Sequence, residues 1–277
     1  SATMPPQAPL LETNGFNQLV RTRNGYCLYN RNDMYIGQAL ERYGEFSRFE
    51  MIFFAQLLHP GDIVIEVGAN IGAHTVEIAR HVGSQGRVIA FEPQRLIFQT
   101  LCANVALNSL DNVDCYPNAM GAQRGMLKVP ELDPRKHTNF AGLSLCGEHQ
   151  GRSVECFTLD MLVDLPRLRL VKIDVEGMES EVIAGGHVLI GKLRPLLYVE
   201  NDRIEKSEAL IRAIDALGYR MFWHQPYLFN PQNFNGESEN IYPNTVSRNM
   251  LCMPHESTME MPDMLEITDF TAHPSRT

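Results

Sequence analysis

The segment IEVGANIGAHT, from Ile65 to Thr75, decides the fold of this 277-residue chain. An apolar run ends at the acid Glu66, glycines follow at Gly68 and Gly72, and a helical pattern begins at once. This order predicts a buried strand, a tight turn and the start of a helix. Because a helix start presents free backbone N–H groups, such a turn is typical of a ligand-binding site.

The spacing of the two glycines indicates the kind of ligand. A dinucleotide-binding fold would have GxGxxG at this place, with a closely spaced first pair of glycines. The sequence has ExGxxxG instead, which is similar to the turn of S-adenosylmethionine (SAM) methyltransferases. A second acid, Glu92, ends the next predicted strand about 20 residues further on, where such folds place the carboxylate that binds the ribose hydroxyls.

Composition excludes some classes of protein. The net charge is −9, from 24 Lys and Arg against 33 Asp and Glu, and no basic run could neutralise several phosphates, so nucleic acid is not an expected partner. No segment reaches the roughly 18 consecutive apolar residues of a membrane span, and the first ten residues lack the features of a secretion signal. The six cysteines form no CxxC pair and are predicted to be reduced. We therefore expect a cytoplasmic protein.

Strand and helix patterns alternate from residue 62 onward. The predicted strands are 62–67, 87–93, 113–117, 169–177, 195–201, 219–223 and 248–254, with helices at 72–82, 95–108 and 207–218. This alternation implies right-handed crossovers. It predicts an α/β fold with a mostly parallel seven-stranded sheet and helices on both faces.

The predicted domain organisation has three parts. Residues 1–58 form an N-terminal accessory segment with a helix that begins at a capping box of Ser47 and Glu50, residues 59–256 form the main domain, and residues 257–277 form a tail. Two intervals inside the main domain, 125–153 and 224–249, are interpreted as insertions on the substrate side. The second one mixes aromatic residues with Asn and Gln, a composition that suits a carbohydrate. A mobile loop without contacts is the alternative.

Several longer motifs extend the similarity to one family. The segments YGEF, HPGDIVIEVGANIGAHT, VIAFEP, NVALN and especially VKIDVEGMESEVIAGG, between Tyr43 and Glu200, resemble the FkbM-type SAM-dependent methyltransferases. The resemblance implies a class I (Rossmann-like) methyltransferase fold and transfer of a methyl group from SAM to a hydroxyl, often on a sugar or natural-product ring. One departure is Glu66, where the family commonly has Asp. Residues 1–42 and 224–277 lie outside the resemblance.

The resemblance also implies a set of cofactor-binding residues. Those expected near the methionine end of SAM are Glu66, Gly68, Ala69, Asn70, Gly72 and Thr75. Glu92 is expected to bind the ribose. Asn118 and Ala119 match the segment beside adenine, although an ordinary loop explains them equally well.

Two carboxylates at the end of a central predicted strand are candidates for the general base. Asp174 and Glu176 are two residues apart, so they share one face of the strand, and their mutual repulsion can raise one pKa. Glu176 has an alternative role, capping the next helix or binding the SAM ammonium group. His224 follows another strand and is a third candidate base.

The same strand ends offer a metal site. Asp174, Glu200 and Asn201 are hard oxygen ligands that would suit Mg²⁺ or Ca²⁺. The alternative is an ion-free site in which Glu200 binds the substrate. The sequence thus predicts a SAM-dependent O-methyltransferase for a small hydroxylated acceptor such as a sugar. A nucleotide-binding (NAD-type) oxidoreductase and a SAM-binding protein without catalysis stay open as alternatives.

Overall fold

A computed structural model describes residues 11–12, 14–140 and 150–276. Its N-terminal part is a hairpin followed by two helices. These elements are β1 (Asn17–Thr22), β2 (Gly25–Asn30), α1 (Ile36–Tyr43) and α2 (Arg48–Leu57). Of the four, the sequence predicted only α2. Its capping box is not formed, because the Ser47 hydroxyl donates to the Glu50 carboxylate and caps no backbone N–H.

From β3 onward, strands and helices follow the predicted alternation. They are β3 (Ile63–Val67), α3 (Ala73–Val82), β4 (Arg87–Phe91), α4 (Arg95–Leu107), β5 (Val113–Tyr116), β6 (Ala119–Met120), β7 (Gly125–Val129), β8 (Arg152–Phe157), β9 (Leu170–Ile173), α5 (Glu179–Ala184), α6 (His187–Leu193), β10 (Leu196–Glu200), α7 (Ile204–Asp215), β11 (Tyr219–His224) and β12 (Asn249–Pro254). Strands β6, β7 and β8 form a separate three-stranded sheet.

The main sheet has seven strands in the order β11-β12-β10-β9-β3-β4-β5. Only β12 runs antiparallel to the other six strands. The predicted fold, a mostly parallel seven-stranded sheet, is therefore confirmed. Strand order reverses between β3 and β9, and in open α/β sheets the crevice at such a reversal is where ligands bind.

The central strands are buried on both faces, which explains why they read as continuous apolar runs. On one face, Ile65 and Ile173 pack in a core with residues of α5, α6 and α7. On the other face, Val64 and Leu170 pack with residues of α2 and α3. Helices thus cover both faces, and the N-terminal helix α2 is part of the main core.

The C-terminal residues pack along the edge of the sheet. The Trp223 N–H donates to the Leu265 carbonyl at 2.9 Å, and the Ile267 N–H donates to the Met221 carbonyl at 2.8 Å. These bonds cover the outer edge of β11, which would otherwise present unpaired backbone groups. The sequence pattern gave this tail no partner. No helix of the described residues has the length and apolar character needed to cross a membrane.

Candidate active site

A cavity of about 280 Å³ opens at the carboxyl ends of β3 and β9, where the strand order reverses. Its wall joins the glycine turn after β3 to the acidic residues after β9 and β10. The turn and the acids are more than 100 residues apart in sequence, so the sheet alone brings them together. The cavity is thus positioned by the core.

Gly68 is required by a close backbone approach. Its φ is +86°, and a Cβ added there would lie 1.9 Å from the Asp174 carbonyl oxygen. The turn continues with Asn70, whose φ of 53° is also left-handed. A non-glycine residue in this region of backbone space is uncommon and is often found at functional sites.

Glu92 lies at the end of β4 and faces the glycine turn. Its Oε1 accepts the Asn70 N–H at 2.9 Å, and its Oε2 accepts the Gln94 N–H at 2.9 Å. Burial raises the pKa of Glu92 to about 7, although these two bonds oppose the rise. Each oxygen keeps a lone pair for a further donor. Beside it, Nε2 of Gln94 is buried without a hydrogen-bond partner among the described residues.

Glu66 lies at the floor of the cavity and is fully buried. Its Oε1 accepts a bond from the Thr75 hydroxyl, and its Oε2 lies 3.5 Å from Nζ of Lys172. Burial would lower the pKa of Lys172, but the carboxylates around it, Glu66 first, raise it above its ordinary value. The floor therefore carries a buried cation among acids.

Five of the nine predicted cofactor residues line the cavity, namely Glu66, Gly68, Ala69, Asn70 and Glu92. The other four, Gly72, Thr75, Asn118 and Ala119, are not part of its lining. Asn118 donates from Nδ2 to the Glu155 carbonyl at 3.3 Å, and Ala119 pairs with Cys156 in the small sheet. These contacts fit an ordinary structural role for that segment.

Three carboxylates of the cavity lining converge. One oxygen each of Asp174, Glu176 and Glu200 lies within 4.8 Å of the others. Burial, and then the charge of Asp174, raises the pKa of Glu176 to about 8 and that of Glu200 well above its ordinary value. Such a cluster shares protons or holds a cation, because three like charges at this distance repel.

Asn201, the third predicted metal ligand, does not line the cavity. Its Nδ2 lies 3.4 Å from Sδ of Met250, and its side chain is buried away from the cavity lining. Successive residues of a strand point to opposite faces, so Glu200 and Asn201 do not converge. Glu176 is instead the third side chain that lies beside Asp174 and Glu200. Its φ of 49° is left-handed, and its Oε2 lies 3.3 Å from Nη2 of Arg203.

His224, predicted as a catalytic base, does not line the cavity. Its Nδ1 is 2.7 Å from the Tyr198 hydroxyl, and its ring stacks on Phe53 with centroids 4.2 Å apart. Burial lowers its pKa. His224 therefore reaches the cavity only through other side chains.

Sequence reasoning missed the lining residues that the N-terminal segment and β9 contribute. These residues are Tyr35, Ile36, Phe46 and Glu50 from the N-terminal segment and Lys172 from β9. The 224–249 interval, interpreted as a substrate-side insertion, contributes Leu228, Val246, Ser247 and Arg248. The aromatic side chains of that interval are not part of the cavity lining. Tyr242, for example, packs on Tyr35 with the ring planes tilted by 47° and the centroids 5.2 Å apart. In the 125–153 interval, Asn139 and Phe140 line the cavity, and residues 141–149 lie outside the described residues.

Comparison with known proteins identifies the family. A family model described as the methyltransferase FkbM domain matches residues 66–221. A curated relative, Methyltransferase 1 of Beauveria bassiana (strain ARSEF 2860), is 27% identical over 144 residues, which cover 44% of this chain and 57% of that protein. The match thus spans less than two thirds of the relative's length.

Solved structures of similar proteins include two methyltransferases. The FkbM methyltransferase of Methylobacillus flagellatus KT is 15% identical, with 79% of this chain and 55% of that chain covered and a TM-score of 0.43. A SAM-dependent O-methyltransferase of Thermotoga maritima is 15% identical, with coverages of 89% and 80% and a TM-score of 0.45.

Proposed function

The chain belongs to the FkbM methyltransferase family, and from this premise we propose that it is a SAM-dependent O-methyltransferase acting on a small hydroxylated molecule such as a sugar. The observation that carries the proposal is one cavity lined by two chemically different groups of residues. A glycine turn and a hydrogen-bonded carboxylate, Glu92, form the first group, and the acids Asp174, Glu176 and Glu200 form the second.

The residues of the first group fit SAM. The lone pairs that Glu92 keeps beside its two backbone bonds suit the ribose hydroxyls, and the unpartnered Nε2 of Gln94 offers a donor next to them. Gly68, Ala69 and Asn70 would hold the methionine part. When bound, SAM supplies a methyl group already activated by its sulfonium centre.

The acidic group is suited to an acceptor hydroxyl. Carboxylate oxygens of Asp174 and Glu176 can accept the hydrogen bond of that hydroxyl and fix its oxygen for in-line attack. Alignment contributes the larger part of such catalysis, with effective molarities of roughly 10⁵–10⁸ M, whereas a general base adds about 10²–10⁴. Asp174, Glu176 and His224 are the bases that the sequence predicts.

A divalent cation is a second way to stabilise the acceptor oxygen. Asp174, Glu176 and Glu200 offer three carboxylate oxygens, the ligand type that Mg²⁺ and Ca²⁺ prefer. We propose this set in place of Asp174, Glu200 and Asn201. Dialysis against a chelator followed by assay with and without Mg²⁺ tests it.

The alternatives differ in what they bind and in whether they turn over. A NAD-type oxidoreductase would bind NAD⁺ in place of SAM, and a SAM-binding protein without catalysis would bind SAM but transfer nothing. Incubation with SAM and a panel of methyl pyranosides and simple phenols, read by mass spectrometry, separates these outcomes. We expect a mass increase of one methyl group on a hydroxyl acceptor. SAM binding without transfer to any hydroxyl acceptor would contradict the proposal.

A further inference from the structure

Arg248 is a cationic side chain of the cavity that the proposed mechanism does not use. The described lining holds two Lys or Arg side chains, and the other one, Lys172, lies 3.5 Å from the Glu66 carboxylate. Arg248 forms no ion pair and no side-chain hydrogen bond with any residue that the structure describes, and its Nε is buried without a partner. An unpartnered buried N–H costs free energy, which a ligand that accepts from it would recover.

The backbone around Arg248 is fixed on both sides. The Ser247 N–H donates to the Pro226 carbonyl at 3.0 Å, and the Asn201 N–H donates to the Arg248 carbonyl at 2.9 Å. Both bonds join backbone atoms, so they persist when the Arg248 side chain is replaced. The side chain therefore starts from a fixed point of the cavity wall, and its variants are expected to fold.

Arg248 lies across the sheet from the glycine turn. It directly precedes β12, whose first residue, Asn249, pairs with Glu200 of β10. Two strands, β10 and β9, separate β12 from β3, after which the glycine turn begins. Because neighbouring strands are about 4.8 Å apart, this places the backbone of Arg248 roughly 14 Å from that turn. Its place in the sheet is thus beside the acids proposed to bind the acceptor.

The guanidinium group selects a particular kind of anion. Its planar fork of N–H donors matches the two oxygens of a carboxylate, and it also binds phosphate. The carboxylates of Glu50, Asp174 and Glu200 line the same cavity and repel further negative charge. A ligand carboxylate carries one charge, whereas a phosphate monoester carries about 1.5 to 2 at pH 7. The cavity therefore favours a carboxylate.

Apolar side chains complete the lining. Leu228 and Val246 come from the 224–249 interval, and Tyr35 and Phe46 come from the N-terminal segment. Side chains of this kind pack on the carbon skeleton of a ligand, while a few polar groups fix its orientation. The lining thus suits a ring that carries both a hydroxyl and a carboxylate.

We propose that Arg248 binds a carboxylate of the acceptor, and that the acceptor is a hydroxylated ring acid, of which a hexuronic acid is the sugar form. This inference rests on the proposed function and narrows its substrate class. The guanidinium donates two N–H bonds to the carboxylate oxygens and so holds the acceptor by a group other than the reacting hydroxyl. Arg248 then determines which acceptors bind and takes no part in the methyl transfer itself.

The first test measures binding and needs no methyl transfer. It uses two pairs of compounds in which a carboxylate replaces a hydroxymethyl group, namely the methyl glycosides of glucuronic acid and glucose, and meta-hydroxybenzoate and meta-hydroxybenzyl alcohol. The Arg248 Nε–H resonance is assigned by its loss in Arg248→Lys. We expect at least one of the two acids to shift this resonance saturably, and neither alcohol to do so. A resonance that no acid shifts would overturn the inference.

The second test compares kcat/KM within each pair, after thermal melting has verified that every variant is folded. We expect the wild type to prefer the acid by about tenfold to a hundredfold, because charge-assisted hydrogen bonds hold it. Arg248→Gln should abolish this preference, and Arg248→Lys, which keeps the charge but loses the fork, should give an intermediate ratio. The matched control is Arg212→Gln, an exposed residue of α7 paired with Glu208, which should keep the wild-type ratio.

The outcomes separate this inference from the proposed function. An active wild type that methylates acid and alcohol equally well, or an Arg248→Gln variant with the wild-type ratio, overturns the inference alone. More efficient methylation of methyl glucoside phosphate than of methyl glucuronide overturns the choice of a carboxylate. A tenfold loss of SAM affinity in Arg248→Gln assigns the residue to the cofactor and overturns its acceptor role. A folded wild type that methylates no hydroxyl acceptor overturns the proposed function, whatever the NMR titration shows.

Discussion

The SAM affinity of this protein should depend on the ionisation of Glu92. Burial raises its folded-state pKa to about 7, so roughly a tenth of the protein carries the ionised form at pH 6 and nine tenths at pH 8. Hydrogen bonds to a charged group contribute about 1.5–3 kcal/mol, which is a factor of about ten to a hundred in affinity. The observed SAM affinity is an average over the ionised and protonated forms of Glu92, weighted by their populations. It should therefore rise about fivefold to tenfold between pH 6 and pH 8.

Glu92→Gln separates this effect from other titrations, including that of the SAM amino group. The variant keeps the shape but should bind SAM about tenfold to a hundredfold more weakly at pH 8 and lose the Glu92 part of the pH dependence. Its amide also meets one of the two backbone N–H donors, so some loss of thermal stability is expected. Asp114→Asn, an acid of β5 paired with Arg87, is the control.

Isothermal titration calorimetry at pH 6 and pH 8 measures all three proteins, after thermal melting has verified that each is folded. A folded Glu92→Gln variant with wild-type affinity at pH 8 would refute the ribose assignment. An equal rise of SAM affinity with pH in the wild type and the variant would refute the role of Glu92 ionisation.

Three further predictions follow from the same geometry. Asp174→Asn should lower turnover by about 10² with far less change in SAM affinity. Steady-state kinetics with and without chelator then separates a role as general base from a role as metal ligand, and full activity of the variant excludes both. Gly68→Ala should lose more than about 2 kcal/mol of stability, because its Cβ would lie 1.9 Å from a carbonyl oxygen and its φ is +86°. Gly191→Ala, at an exposed position of α6 with open space around it, should lose none, and equal urea midpoints would contradict this. The ligand-free protein should melt at lower temperature as pH rises from 6.5 to 8, because the pKa values of Glu92 and Glu176 in the folded protein are about 7 and 8. An acid whose pKa is raised on folding contributes stability that is complete below its unfolded-state pKa. That stability is lost as the pH rises through its folded-state pKa. Glu176→Gln should flatten that fall, and a constant or rising melting temperature would contradict it.

The main sheet could be predicted because its strands are buried on both faces and its turns carry glycine. The hairpin β1–β2 could not, because its strands are mostly half-buried and show no clean alternation. Its stability comes from distant partners, such as the Asn104 side chain, which accepts the Leu28 N–H at 2.6 Å. Contacts between residues so far apart in the sequence leave no local sequence pattern.

The candidate site likewise contains residues that the sequence predicts and residues that it does not. Asp174 and Glu176 follow β9 and Glu200 ends β10, so position in the sheet predicts that they meet. Asn201 does not line the cavity, and the pleat, which alternates sides with every residue, gives the reason. Glu50 was interpreted as part of a helix cap, yet it bonds to Asn249, 199 residues away.

The central claim is that the cavity at the carboxyl ends of β3 and β9 binds SAM, and one calorimetric measurement tests it most directly. The wild-type protein is titrated at pH 8 with SAM and, separately, with NAD⁺. We predict saturable binding of one SAM per chain, competed by S-adenosylhomocysteine, and no binding of NAD⁺. Binding of NAD⁺ together with no detectable SAM binding by the folded protein would contradict the account.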